Sequence, residues 1–439
     1  MPSPPPAQAP PPEVPVRNQV RRYSYLICTV VFLSYLLVYF HRVCPSVLAL
    51  DMQAAFGVGG TLLGVLGSAY FYPYGLMQFP VGLLADSWGP RKTVSLFLVV
   101  AAAGSVLMGL SPSLGWAILG RVLVGVGVST IFVCNFKLLT EWFSAREMIQ
   151  AGGIFMAVGG LGVLVASTPL AWLSDLFGWQ ATLILVGLVT LVMAGLAYLF
   201  VRDHPRDKGW PQVRPGTGRA ATTPSSLLGG MKSVLCSSRL WPISIWAFFN
   251  VGLIFALGSM WSVPFLQQVY GMTKAQAAGI QVTFALGLIL GSPAASFLAN
   301  RLGRRPVFRL CSLLLFLSSL AFYLIPQGLP PAALYLLFFL LYLAGGSPGS
   351  VLAVYSKELF DPAIAGTSVG LVNFFPFLGG GVFQVIMGAI LEAGGARGQA
   401  APAAAYQNLF GLIVLGSLAA LAATLFLPET MPRSRRQSA

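Results

Sequence analysis

The sequence predicts an all-α membrane protein with twelve transmembrane helices in two pseudo-symmetric six-helix bundles. Three observations predict it. The 439 residues are 56% hydrophobic and only 9% charged, with a mean hydropathy of +0.79, so the charges are too few to cover a water-soluble surface. Twelve segments are apolar over the roughly 20 residues that a helix needs to cross the hydrocarbon core. A short motif after the second segment returns after the eighth, dividing the chain into two like halves.

The elements follow in order. Residues 1–22 begin with a Pro-rich run that cannot bury enough apolar surface to offset ordering, so a disordered tail is expected. Arg17, Arg21 and Arg22 precede the first span, 23–49, which is too long for a secretory signal and lacks a small-residue cleavage site. Spans 61–83, 93–110, 114–139, 147–173 and 179–201 complete a first bundle, 23–201. Residues 202–240 hold RDHPRDKGW and a Gly/Pro/Ser/Thr-rich middle, and read as a basic linker. Spans 241–269, 274–298, 307–325, 332–354, 363–391 and 406–427 form the second bundle, 241–427, followed by a tail, 428–439. Helices are expected throughout because backbone groups in lipid must be satisfied within their own segment.

The formal charge is +14, from 26 Lys and Arg against 12 Asp and Glu. Once the spans are placed, 21 of the 26 fall in the tails, the linker and the loops of one side, the exceptions being Arg42, Arg121, Lys137, Lys274 and Arg397. By the positive-inside rule both termini are cytoplasmic, and a prokaryotic inner membrane is expected. No basic patch with stacking aromatics is left over for nucleic acid. The five cysteines are scattered without CxxC spacing and there are only two histidines, so no metal site, catalytic set or organic cofactor is expected. The expected partners are the lipid bilayer and a small molecule, and the expected state is a monomer.

The repeat reads GLLADSWGPRK from Gly82 and SFLANRLGRR from Ser296. In the first copy, which also holds Gly89, Gly82 would let helices approach closely, Asp86 would cap or pair at a helix end, and Arg91 and Lys92 would hold the loop inside. Gly303, Arg304 and Arg305 are the corresponding residues of the second, in which Asn300 replaces the acid. A second echo, EWFSAREMIQAGG from Glu141 and ELFDPAIAGTSVG from Glu358, follows the fourth and tenth spans. Parallel repeats of this kind place a substrate site between the halves near the midplane.

The G-x-L-A-D-x-x-G-x-R-K motif, in this loop of a twelve-span chain, resembles the signature of the major facilitator superfamily. The resemblance implies alternating access, with this loop latching the halves in the outward-open state. It also implies that Arg121, in R-x-x-x-G with Gly125, has a structural role on the carbonyls of a neighbouring helix. Tyr39-Phe40-His41-Arg42 is similar to the Y-x-x-R of the organic anion:cation symporters and their sugar-phosphate relatives. Tyr74 with Gln78, then Trp142, Phe143 and Glu147, and Gly370 to Asn373 match further patterns of those branches. The whole pattern also resembles the lysosomal dipeptide transporter group. The chain departs from the symporters at His41 and at Gly125 to Val128, where acidic residues are usual.

Charges inside a bilayer are costly, about 2.5–3.5 kcal/mol each on insertion scales, so each one requires an account. No acidic residue falls at mid-membrane, whereas Arg42, Arg121 and Lys137 do. An anionic substrate would supply the missing partner, and Arg42 is the first candidate because a guanidinium can hold a carboxylate or phosphate bidentately. The alternatives are that Arg42 snorkels to the interface and that Lys137 pairs with Glu141 one turn on. His41, which titrates near neutrality when unperturbed, could carry a coupling proton, H+, or simply pack. Tyr39, Tyr74, Gln78, Asn135, Asn250, Gln281 and Asn373 are further candidates for substrate contact, or for bonds between helices. A secondary transporter of a carboxylate, sugar acid or phosphorylated metabolite is therefore expected. A dipeptide or amino-acid carrier or uniporter, and a transporter-like sensor or scaffold, are the alternatives.

Overall fold

The computed structural model describes residues 14–211, 224–346, 349–361, 364–395 and 401–431. Ten helical stretches among them are long and apolar enough to cross a membrane. One of these, Gln150–Phe200, takes in most of one span, Ala145–Val165, and the whole of another, Thr168–Phe200, and Gly60–Met77 adds a further one. The twelve expected spans are thereby accounted for.

The first span is a single helix, Val14–Phe56. It starts nine residues before Tyr23, because Arg and Gln in VRNQVRR favour helix and extend it out of the apolar stretch. Residues 1–13, 212–223 and 432–439, parts of the expected tails and linker, lie outside the described residues. The second span breaks after Gly60–Met77 and resumes as Val81–Ser87, where Pro80 offers no N–H to continue the ladder. Pro90–Gly109 is the third, and Leu114–Ser129 with Ile131–Trp142 the fourth. The sixth, Thr168–Phe200, is interrupted at Gly178, whose φ of +79° suits glycine alone. The linker contributes a short turn, Pro205–Lys208, and a helix, Pro224–Leu235.

The seventh span runs Leu240–Ala256, passes through a π-helical turn, Leu257–Trp261, and continues as Ser262–Tyr270. The eighth is Lys274–Gly279 with Gln281–Leu302, and the ninth Arg304–Leu324. Pro331–Gly346 with Gly349–Glu358 makes the tenth, Ala365–Ala393 the eleventh and Ala403–Ala423 the twelfth.

The two bundles meet along the second and eleventh helices, where small residues let backbones touch. A Cβ on Gly60 would come within 2.5 Å of the Gly388 carbonyl, and one on Gly75 within 3.2 Å of Phe374 and Phe377. On the opposite side of the molecule the fifth helix meets the eighth, Gly160 lying against Ile289 and Ala285.

Each bundle closes on itself in the same way at the end that carries the loop motif. Gly89 and Gly303, with φ of +83° and +103°, turn the chain into the third and ninth helices. Asp203, just past the sixth helix, accepts the Arg91 backbone N–H at 2.7 Å; Glu429, just past the twelfth, accepts those of Arg304 and Arg305 at 2.9 and 3.1 Å. Both carboxylates thus sit on the positive end of a helix dipole. Arg91 Nε donates to the Tyr198 carbonyl, and Arg305 Nε and Nη2 to those of Thr424 and Leu425. The duplication seen in the sequence is therefore also a duplicated set of bonds.

Candidate functional site

Pro45 sits inside the first helix and has no N–H for the carbonyl four residues earlier, that of His41. Arg121, fully buried on the fourth helix, supplies the missing donor: Nη1 meets the His41 carbonyl at 2.6 Å and Nη2 the Arg42 carbonyl at 3.3 Å. Its guanidinium also lies 4.6 Å from the Tyr70 ring centre, and Gly125, one turn on, lies directly against the Tyr70 backbone. Arg121 therefore fixes the turn of the first helix from which Arg42 projects.

Arg42 does not snorkel. It is 3% exposed, and its guanidinium carbon lies 4.7, 5.9 and 5.1 Å from the rings of Tyr39, Tyr70 and Tyr74, and 5.1 and 5.3 Å from those of Phe255 and Phe377. Three of these rings come from the first bundle and two from the second, so the cation stands where the halves meet. Arg42 Nε and the Tyr70 hydroxyl are buried there without a hydrogen-bond partner, and Arg42 forms no ion pair among the described residues. Phe255 and Phe377 were not legible as site residues, because a phenylalanine in an apolar helix carries no distinguishing signal.

The other candidates divide. Tyr39 and Tyr74 belong to the cage, and Tyr74 packs against Phe377 with ring centres 4.3 Å apart and the planes tilted by 34°. Gln78 and Asn373 meet each other across the halves, Asn373 Nδ2 donating to Gln78 Oε1 at 3.1 Å, so they close the seam beside the cage. Asn135 donates to the Val31 carbonyl and Ser34, and Asn250 to the Ala344 carbonyl, each holding a neighbouring helix. Gln281 donates to the Gly258 carbonyl and to Ser262 at 2.9 Å, and reaches Ser46, one turn beyond Arg42. His41 turns away from the cage and meets Thr190 Oγ1 at 3.0 Å.

Lys137 requires a correction. It is not an unpaired cation of the cavity, and its partner is not Glu141: Nζ lies 2.6 Å from Asp86 and 2.8 Å from the Ala85 carbonyl, because the short helix Val81–Ser87 folds back beside the fourth span. Glu141 instead meets His204 at 3.1 Å. Gly82 also departs from expectation. It is exposed, with no atom within 4 Å of where a Cβ would stand, so it makes no close helix approach here. Lys92 is exposed, and in the second copy Arg304 joins Glu358 and Asn300.

The two ends of the molecule differ in how the halves are tied. Among the described residues the ion pairs at the motif end, Lys137–Asp86, His204–Glu141 and Arg304–Glu358, each stay within one bundle or its adjoining linker. At the far end Lys274, of the second bundle, bridges Asp51 and Asp175 of the first at 2.7 and 2.9 Å. Glu392 reinforces this seam by accepting the Thr61 N–H at the start of the second helix. The far end is thus held shut across the halves. No group of three or more His, Cys, Asp or Glu residues suited to a metal gathers among the described residues.

Comparison with known proteins agrees with this architecture. A probable L-galactonate transporter of Escherichia coli is 24% identical over 390 residues, covering 85% of this chain and 84% of the relative. A cis,cis-muconate transport protein of Acinetobacter baylyi is 25% identical over 356 residues, covering 79% and 83%. The crystal structure of a bacterial homolog of the human lysosomal transporter Spinster, inward-facing and unoccupied, superimposes with a TM-score of 0.66 at 20% identity, over 92% of this chain and 95% of that one. The Major Facilitator Superfamily model matches residues 31–384 and, in overlap, 262–439. A duplicated twelve-helix fold, its repeated loop motif and a match across most of the sequence together make this chain a member of the major facilitator superfamily.

Proposed function

We propose that the protein carries a small organic anion across the membrane by alternating access, the two bundles rocking about a central site in which Arg42 holds the anion. The observation that supports this most directly is Arg42 itself: a buried guanidinium between the halves, ringed by side chains of both and joined to no carboxylate among the described residues. A buried cation without a counter-ion is expensive, and an anionic ligand relieves that cost wherever the halves close around it. Relatives named for galactonate and cis,cis-muconate support an organic anion as the cargo. A dipeptide or amino acid fits less well, since among the described residues its ammonium would find no carboxylate beside Arg42.

The motif end is the cytoplasmic one in this proposal, both termini lying inside an inner membrane, as the distribution of Lys and Arg supports. The protein acts as a monomeric carrier, neither enzyme nor scaffold. A coupling proton belongs to the proposal only through His41, whose ring packs on Thr190 while its backbone carbonyl is held by Arg121. A transport rate indifferent to an imposed pH gradient removes that part.

Flux into proteoliposomes tests the whole. Uptake of an organic anion is expected in the native chain and in Cys236→Ser, an exposed linker position, and is expected to vanish in Arg42→Gln. Absence of flux for every organic anion tried, or flux that survives Arg42→Gln, rejects the proposal.

A further inference from the structure

We infer that the cargo is a monocarboxylate on a planar, unsaturated body, an aromatic acid in type, rather than a polyhydroxylated sugar acid or a dianion. The inference deepens the Arg42 proposal and rests on it. The groups that touch Arg42 are rings: Tyr39, Tyr70 and Tyr74 from one half, Phe255 and Phe377 from the other. Phe255 and Phe377 lie 5.5 Å apart, and Phe377 lies 4.3 Å from Tyr74, so the apolar surface around the cation continues from one bundle into the other.

The guanidinium carbon lies over five ring faces while Nε has no hydrogen-bond partner, so an N–H is left for a ligand, and a guanidinium edge fits one carboxylate. Arg42 Nε and the Tyr70 hydroxyl, both buried and without partners, are two donors available to a single carboxylate head. The rest of the ligand then lies among phenyl and phenol rings, where a flat π body gains offset or edge contacts. A polyol in that place would surrender the water around each hydroxyl with nothing on the rings' faces to replace it.

The nearby amides do not change this balance. Asn135, Asn250 and Gln281 donate to helix carbonyls and serines, and Asn373 to Gln78. The oxygens that remain free on Asn135, Asn250, Gln281 and Gln384 are acceptors, which repel a carboxylate. A second carboxylate would also lack a second cation, because Arg121 is committed to the His41 and Arg42 carbonyls and Lys137 to Asp86.

The test uses the full chain in detergent, with benzoate, galactonate and cis,cis-muconate as probes and the thermal unfolding midpoint as readout. Benzoate is expected to raise the midpoint at concentrations about tenfold or more below those the other two need, the scale on which a shaped apolar pocket discriminates. Phe255→Leu and Phe377→Leu, which keep the site apolar, are expected to raise the benzoate requirement severalfold. Galactonate or muconate acting at equal or lower concentration than benzoate overturns the inference and leaves the Arg42 proposal standing. So does a benzoate response untouched by either phenylalanine change. A benzoate response retained in Arg42→Gln, or no response to any of the three, overturns the inference together with the proposal beneath it.

Discussion

Arg121 on the fourth helix donates to the one carbonyl of the first helix that Pro45 deprives of its normal partner, that of His41, at 2.6 Å. The proline and the arginine form a pair: one opens the backbone beside Arg42 and the other holds it open in a fixed direction. Arg121→Met takes the strong donor from the His41 carbonyl in a buried, water-poor place and is expected to cost about 1–3 kcal/mol of stability. It should also weaken anion binding, whereas Arg121→Lys, with one compact donor, recovers part of each. Chemical unfolding and anion titration of the same variants check this; full stability in Arg121→Met would show that the pairing is idle.

Lys274 bridges Asp51 and Asp175 across the halves at the far end. Lys274→Met leaves two carboxylates facing one another and is expected to open that end. Ser46, buried there against Ser262 and Gln281, provides the reporter. In a chain whose native cysteines are replaced, Ser46→Cys should react severalfold faster with a polar maleimide once Lys274→Met is added. An unchanged rate would locate the lock elsewhere.

The glycines of the second and eleventh helices should be unequal in their tolerance. Gly388→Val drives two methyl groups into the Gly60 backbone and Trp261, and is expected to cost about 1–3 kcal/mol or to spring the far end open. Gly82→Ala meets open space and should alter stability by less than about 0.5 kcal/mol, although Gly82 heads the repeated motif. Thermal unfolding of the two variants side by side decides the matter.

Lys137 is partly and Asp86 largely solvent-facing, with side-chain exposures of 29% and 59%, so their 2.6 Å pair should contribute little to stability. A double-mutant cycle with Lys137→Met and Asp86→Asn is expected to give a coupling under about 1 kcal/mol that shrinks in high salt. A larger, salt-insensitive coupling would mean that the pair is shielded from water.

Much of this architecture was legible because a bilayer leaves the chain few options: twelve apolar stretches, charge sorted to one side, and a loop repeated with its glycine. The R-x-x-x-G resemblance pointed Arg121 to the carbonyls of a neighbouring helix, whereas the particular carbonyl, that of His41 freed by Pro45, emerged only from the fold. The partner of Lys137 was not legible, since helical spacing favours Glu141 whereas the chain breaks at Pro80 and brings Asp86 alongside. Gly82 carries the signature of close packing, yet close packing depends on which end of the molecule is shut. Tyr39, Tyr74 and Arg42 stood out as polar groups in an apolar context, whereas Phe255 and Phe377 gain meaning only from standing across the interface from them.

Asp203 and Glu429 each lie just past the last helix of their bundle, and each closes the helix that follows its own loop motif. A nascent chain can therefore complete its first bundle as soon as Asp203 has emerged, using nothing from the second. Biogenesis in two instalments follows from that placement: the halves can be made and inserted separately, and two polypeptides divided within the linker should reassemble in the membrane as one carrier.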